Sequence, residues 1–264
     1  MRAGAAGHEW RGQDIAVSAP FSAIEQQRAH EYVADQIRRQ IGLGLLGPGE
    51  ALPPERELAK LFGVGRVTVQ LAVGLLEADR LIQTRRGRSG GRFVVDAGQG
   101  TGALDYRIIE ARRDADLIIA SIEYRVIIEG AAASMAARLR RTAELGAMEE
   151  ATRQTRIARD DAEFTRYDTI FHLAVARASR NQFVLAAVEE ARLRLNPVLA
   201  LLPESDLFHQ ISNDEHAAIL EAIGARDPEL AGARARAHVE RTAQTVRTLL
   251  TSLNRRPPSL KRHP

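Results

Sequence analysis

Apolar residues return at helical spacing three times before residue 80, and then the rhythm changes. From about Ser22 a stripe of Ile24, Tyr32, Val33, Ile37 and Ile41 predicts a first helix, which Gly42, Gly44, Gly47, Pro48 and Gly49 break. Pro53-Pro54 open a short helix, Glu55 to Phe62, since proline is tolerated in a first helical turn. Gly63 ends it, and Val64-Gly65 make a tight turn. A third helix runs from Arg66 to about Ala78, with Val69, Ala72, Val73 and Leu76 inward at i, i+3, i+4 and i+7. Two short β-like runs follow, Leu81 to Thr84 and Arg92 to Val95, around a basic, glycine-rich tip from Arg85 to Gly91.

After the segment DAGQGTG the helical period takes over: 115–138, 142–158, 161–179, 182–201, 212–225 and 227–252. A short helix near 105–112 leaves their number at six or seven. The expected fold class is mainly α, an N-terminal winged helix-turn-helix followed by an all-helical bundle. The chain divides into a disordered extension (1–20), a winged unit (21–95), a linker (96–104), a helical metal- and effector-binding domain (105–253) and a flexible basic tail (254–264).

The first unit carries a case for DNA. The turn sets the third helix across the second, so Arg66, Thr68 and Gln70 in its first turns can reach base edges; arginine suits guanine and glutamine suits adenine. The wing glycines allow close backbone approach, while Arg85, Arg86, Arg88 and Arg92 neutralise phosphate charge. The competing reading is a solvated basic hairpin on an unrelated helical domain. Charge agrees with the first: residues 21–95 carry a net +3 and residues 96–250 a net −4, so only the front half invites a polyanion. No apolar run approaches the ~18 residues of a membrane span, and no apolar signal core opens the chain, so the cytoplasm is the expected compartment. The chain has no cysteine, which leaves nitrogen and oxygen as the donors for any metal.

The rear half holds polar residues on faces that should be apolar. Asp168 and His172 lie four apart within the stripe Phe164, Asp168, Phe171, His172, Val175. His216 shares a stripe with Ile219, Leu220 and Ile223, and His238 lies among Ala231, Ala235, Thr242 and Leu249. Inward-facing groups of this kind need a partner. One carboxylate and three imidazoles suit zinc first, with manganese, nickel or iron as alternatives. For any single histidine the plainer reading is a core imidazole bonded to a neighbour. His209 falls in a predicted loop, Pro203 to Gln210, and reads as a surface residue. Arg125 follows the inward stripe of Ile118, Ile122 and Ala132, either as a clamp for an acidic effector or as an ion pair with Glu129. Asn196, just before Pro197, could also face a cavity.

With these residues in place the chain resembles the GntR family of bacterial transcription regulators, in the branch with an all-helical FCD effector domain. The resemblance rests on PGEALPPERELAKLFGVGRVTVQLAVGLLEADRLIQTRRGRSGGRFV at 48–94, on Arg125 with Glu129, on Asp168 with His172, on Glu215-His216 and on His238. It implies that Arg56, Arg66, Thr68 and the wing around Gly90 and Gly91 contact operator DNA. It also implies a metal at a cavity floor where a carboxylate or sugar-acid effector binds. Helix-turn-helix proteins generally bind paired half-sites as dimers, so a homodimeric ligand-responsive regulator is expected, a repressor first, with activation left open. Three positions depart from the family pattern: Gly65 replaces a capping serine, Gln70 an arginine and Leu71 a glutamate. Two alternatives stay open here, a metal-dependent enzyme with a DNA-binding appendage and a regulator whose metal is purely structural.

Overall fold

Helices α1 (Ala29–Gly42), α2 (Glu55–Phe62) and α3 (Arg66–Ala78) precede a hairpin of β1 (Ile82–Arg85) and β2 (Gly91–Val94) in this computed structural model, which describes residues 28–87, 90–95, 103–202 and 205–255. Residues 22–27 of the first expected helix, the wing residue Arg88, the 96–102 segment, the N-terminal extension and the tail beyond Arg255 lie outside the described residues. Gly63 closes α2 in the left-handed region, φ 66°, where a side chain would be strained. The chain then bends by 109° into α3, the crossing expected of a helix-turn-helix. The hairpin is antiparallel with Ile82 opposite Val94, and an isolated bridge joins Ala51 to Phe93. Val33, Ala34, Ile37, Leu58, Val69, Val73, Leu76, Ile82 and Val94 close one core beneath these elements.

Seven helices follow: α4 (Ala103–Arg113), α5 (Ala115–Leu139), α6 (Thr142–Arg156), α7 (Asp161–Ala178), α8 (Gln182–Leu199), α9 (Asp206–Gly224) and α10 (Pro228–Arg255). The short helix expected near 105–112 is therefore present as α4. Helix α9 starts six residues before the expected 212, because the Ser205 side chain accepts from the Phe208 N–H and caps it. Asp160 and Asn181 cap α7 and α8 in the same way. Helix α5 runs through the middle. Its Ala132, Ala133, Ala136 and Ala137 are buried in one core with Ala231 and Ala235 of α10. A Cβ on Gly130 would lie 2.5 Å from Arg236 Cγ, so these small residues serve contact within the protomer.

The two parts are joined by more than the covalent chain. Leu43, at the end of α1, sits in the bundle core. A Cβ on Gly42 would lie 2.9 Å from Leu193 Cδ2 of α8. Arg39 pairs with Glu189 at 3.3 Å, and Arg166 of α7 pairs with Glu50. The α1–α2 connection thus lies along the helices that build the site described next.

Candidate metal centre and nucleic-acid interface

Asp168 and His172 of α7, His216 of α9 and His238 of α10 converge on one point, all four buried, with one donor atom of each within 4.8 Å of the others. The Nε2 atoms of His216 and His172 each lie 3.3 Å from His238 Nε2. Asp168 Oδ1 lies 3.4 Å from His216 Nε2 and 3.6 Å from His172 Nε2. Metal bonds of about 2.0–2.1 Å set neighbouring donors roughly 3.0–3.4 Å apart, so these spacings fit a common cation.

The opposite ring faces fix the tautomers. His172 Nδ1 meets Glu129 Oε2 at 2.5 Å, and His238 Nδ1 meets Glu215 Oε2 at 2.7 Å. A ring that donates from Nδ1 and is neutral leaves a bare lone pair on Nε2. His172 and His238 then point two lone pairs at each other, and a proton from His216 could relieve only one of them. Protonating the rings instead is opposed by burial, which pushes His216 and His238 below the usual histidine value. A Lewis acid resolves the conflict, and the residues present fit one. The arrangement of carboxylate behind imidazole is also the usual outer support of a metal-bound histidine.

That support extends further. Glu129 takes a hydrogen bond from Arg125 Nε at 2.5 Å, and Glu215 takes bonds from Arg241 Nε at 2.7 Å and Nη2 at 2.5 Å. Asp168 Oδ2 accepts from Arg192 Nη2, which also donates to Thr169 Oγ1 at 2.9 Å. Burial works against Asp168 and Glu129 as anions, but the arginines and histidines beside them hold both carboxyls well below the usual range. Burial likewise pushes Glu215 up, and its bonds to His238 and Arg241 outweigh that and set it at about 2.

Above the cluster opens a cavity of about 920 Å³, lined by Arg125, Asp168, His172, Arg192, Asn196 and His238 among others, and by Gly44 and Glu50 from the α1–α2 connection. Arg125 is 1 % exposed. Both of its expected roles are compatible with its place: Nε is paired with Glu129, while its terminal nitrogens make no hydrogen bond among the described residues. Asn196 Nδ2 donates to the Leu43 carbonyl at 3.1 Å and to Thr169 Oγ1 at 3.2 Å. Its Oδ1, and Arg192 Nε, are buried without a partner. The reading of His209 is corrected. It lies in α9, half-buried at the cavity wall, stacked on Phe164 at 3.8 Å with Nε2 3.1 Å from Asp161; the Ser205 cap brings it into the helix. Glu215 is engaged on both sides and is no free base. Sequence reasoning missed Arg192 and Arg241. Arg192 had a readable signal, a charge in the stripe of Val188, Leu195 and Val198.

On the winged side, Arg56, Arg66, Gln70, Arg86 and Gly90 are exposed, while Thr68 and Gly91 are half-buried. Glu55 ties the surface together. It accepts from Gln70 Nε2 at 3.1 Å, pairs with Arg92 at 2.6 Å and lies 3.9 Å from Arg66. Arg85 stacks over Phe93 at 4.5 Å. Gly90 has no room for a side chain, since a Cβ would lie 2.6 Å from the Arg85 carbonyl. Among the described residues no single helix is long and apolar enough to cross a membrane.

Known proteins agree with both halves. A family model described as bacterial regulatory proteins, gntR family, matches residues 29–91, and one described as FCD domain matches 120–241. A Mycobacterium gastri protein described as an HTH-type transcriptional regulator, RmpR, is 30% identical, the match covering 86% of this chain and 85% of the relative. The Glc operon transcriptional activator of Escherichia coli is 28% identical over 81% of this chain and 87% of its own length. The transcriptional repressor NanR of Citrobacter rodentium is 26% identical over 86% and 88%. The solved structure of E. coli McbR/YncC, 18% identical, superposes with a TM-score of 0.51 over 84% of this chain and 99% of that one; this shows the shared fold. These matches set aside the reading of an enzyme with a DNA-binding appendage. The chain belongs to the GntR family of bacterial transcription regulators, with a DNA-binding helix-turn-helix in front and an FCD domain behind.

Proposed function

We propose that this regulator is a repressor that binds operator DNA as a homodimer in the cytoplasm. In this reading Asp168, His172, His216 and His238 hold a divalent metal, zinc first, at the floor of a cavity for a small carboxylate or sugar acid. The observation that carries it is the set of bare imidazole nitrogens 3.3 Å apart, each backed on His172 and His238 by a carboxylate. A bound metal supplies a coordination position for an effector oxygen. The chain's own groups do the rest. The terminal nitrogens of Arg125 and the unpartnered Arg192 Nε offer donors to an anion, and Asn196 Oδ1 offers an acceptor.

Transmission would run through Asn196, which also holds the Leu43 carbonyl at the end of α1. An effector that reorders Asn196 shifts the winged unit only if it favours one arrangement over the other. Contacts of an effector with Arg125, Asn196 and the metal would therefore bias the α1–α2 connection, and through it α2, α3 and the wing with Arg56, Arg66, Thr68, Gln70, Arg86, Arg88, Gly90 and Gly91. The α5 face with Leu117, Tyr124 and Ile127 exposed suits a second copy. The relatives include an activator and a repressor; we adopt repression, the role that the name of the NanR relative carries.

The test is a thermal-shift screen of the metal-loaded protein against small carboxylic and sugar acids, repeated for His172→Ala. A compound that raises the melting temperature only in the wild type supports the reading. Equal stabilisation of both proteins removes the effector from the metal. No stabilisation by any acid, together with unfolding on chelation, makes the metal structural.

A further inference from the structure

The outward ridge of α3 has an unexpected character. Val69, Ala72, Val73 and Leu76 are buried. At about 100° per residue the side directly opposite is made by Val67, Leu71, Gly74 and Ala78. Val67 is 68% and Leu71 53% exposed, and Gly74 and Ala78 are exposed too. Arg66 and Gln70 stand on one flank of the ridge, drawn toward Glu55, and Thr68 lies half-buried on the other. The side of α3 that faces away from the core therefore carries no charge and no hydrogen-bonding side chain.

Gly74 sharpens the point. It sits in mid-helix, where glycine is a poor choice, yet its φ is ordinary and an added Cβ would meet nothing within 4 Å. Nothing within the chain requires its missing side chain, whereas a surface that α3 must approach closely would. The same unit exposes arginines, Arg66 on α3, Arg56 on α2 and Arg85 and Arg86 on the wing, and their charge suits a duplex. In the major groove the one apolar feature of a base edge is the 5-methyl group of thymine.

We propose that the outer ridge of α3 reads thymine. Val67 and Leu71, one turn apart, pack against thymine methyl groups at two positions of each half-site, and Gly74 lets the helix seat closely. Arg66 and Gln70 then serve the flanking bases, and specificity at the centre comes from shape and methyl contact.

The experiment starts with full-length protein and a random-sequence duplex pool, followed by affinities for the enriched duplex with each thymine replaced in turn by uracil, which lacks only the methyl. The expected result is thymine at two fixed half-site positions and a loss of about fourfold for each methyl removed, the increment of one buried CH₂. Leu71→Ser should erase the penalty at one position and Val67→Ser at the other, with the salt dependence of binding unchanged. Because the chain has no cysteine, Leu71→Cys gives a single thiol, and the enriched duplex should slow its alkylation. Failure to enrich any sequence, half-sites without thymine there, or indifference to uracil overturns the proposal. So does a uracil penalty that survives both serine variants, or a Leu71→Cys thiol shielded by a second copy of the chain without DNA.

Discussion

The winged unit and the bundle use the same charged residue types in opposite surroundings. Of the arginines around Glu55, Arg92 is half-buried but Arg66 is solvated, its side chain 67% exposed in a loose pair of 3.9 Å. Around Asp168 the partner Arg192 is 1% exposed, and Glu129, Arg125 and three imidazoles are packed within the same shell. Exposed charges can be exchanged one at a time, because water replaces a lost partner. Buried ones stand or fall together, because removing one strands another in a medium that cannot solvate it. The first arrangement suits a surface that must meet a new partner. The second suits a site that must keep its geometry while a ligand enters.

The widest gap between the two should appear on deleting one arginine from each. Arg192→Ala leaves Asp168 Oδ2 without its donor and Thr169 Oγ1 with Asn196 alone, and should cost about 3–5 kcal/mol in urea unfolding of the metal-free protein. Arg66→Ala should change the same transition by less than about 0.5 kcal/mol. Comparable costs for the two would dissolve the contrast.

Chelation probes the buried side without mutation. If the four donors hold a metal at about a thousandfold over its dissociation constant, its loss removes about 4 kcal/mol. For a chain of this size that lowers the melting temperature by roughly 8–16 °C. His216→Ala should show little further loss on chelation. An unchanged melting curve in the wild type would mean that the imidazoles satisfy one another without a cation.

The exposed side is tested by affinity. Arg66→Ala should weaken operator binding by about 1–3 kcal/mol while leaving the melting temperature in place. Gln70→Arg should change the preferred base, since among the described residues the Gln70 side chain is held by Glu55 alone, at 3.1 Å. An unaltered bound sequence would remove Gln70 from recognition.

How much of this was legible in the sequence follows the same division. Both bounds of α2 and the start of α3 were readable to the residue because Pro53-Pro54, Gly63 and Gly65 punctuate them. Asp168, His172, His216 and His238 announced themselves as polar residues on apolar stripes, and the fold brings them together. Their supports did not. The pairing of Glu215 with His238 spans 23 residues, and that of His172 with Glu129 joins α7 to α5; helical periodicity says which way a side chain faces, not which helix it meets. His209 was misread for a local reason, the Ser205 cap that carries the helix back past it. The link from Asn196 to Leu43, 153 residues apart, leaves no trace in any local pattern.

The junction between the two parts contains one link of each kind, and it gives the finest comparison. Arg166 to Glu50 is a partly exposed pair, the two side chains 33% and 39% exposed. Burial pushes the Glu50 carboxyl up, but the Gly47 N–H and Arg166 outweigh it and leave it below its ordinary 4.5. A depressed carboxyl adds stability above its unfolded value and loses it as pH falls through the folded one. Arg166→Ala should therefore cost less than about 1 kcal/mol at pH 7, and the difference from wild type should shrink below pH 4.5. Asn196→Ala instead leaves the Leu43 carbonyl without this donor, at a cost of about 1–3 kcal/mol with no acid titration of its own. If both variants weaken coupling between effector and DNA, but only the Arg166 effect fades in acid, each link obeys the rule of the side it resembles. An Asn196→Ala cost as small as that of Arg166→Ala would show that water reaches the junction, and that burial does not extend from the histidine cluster to the winged unit.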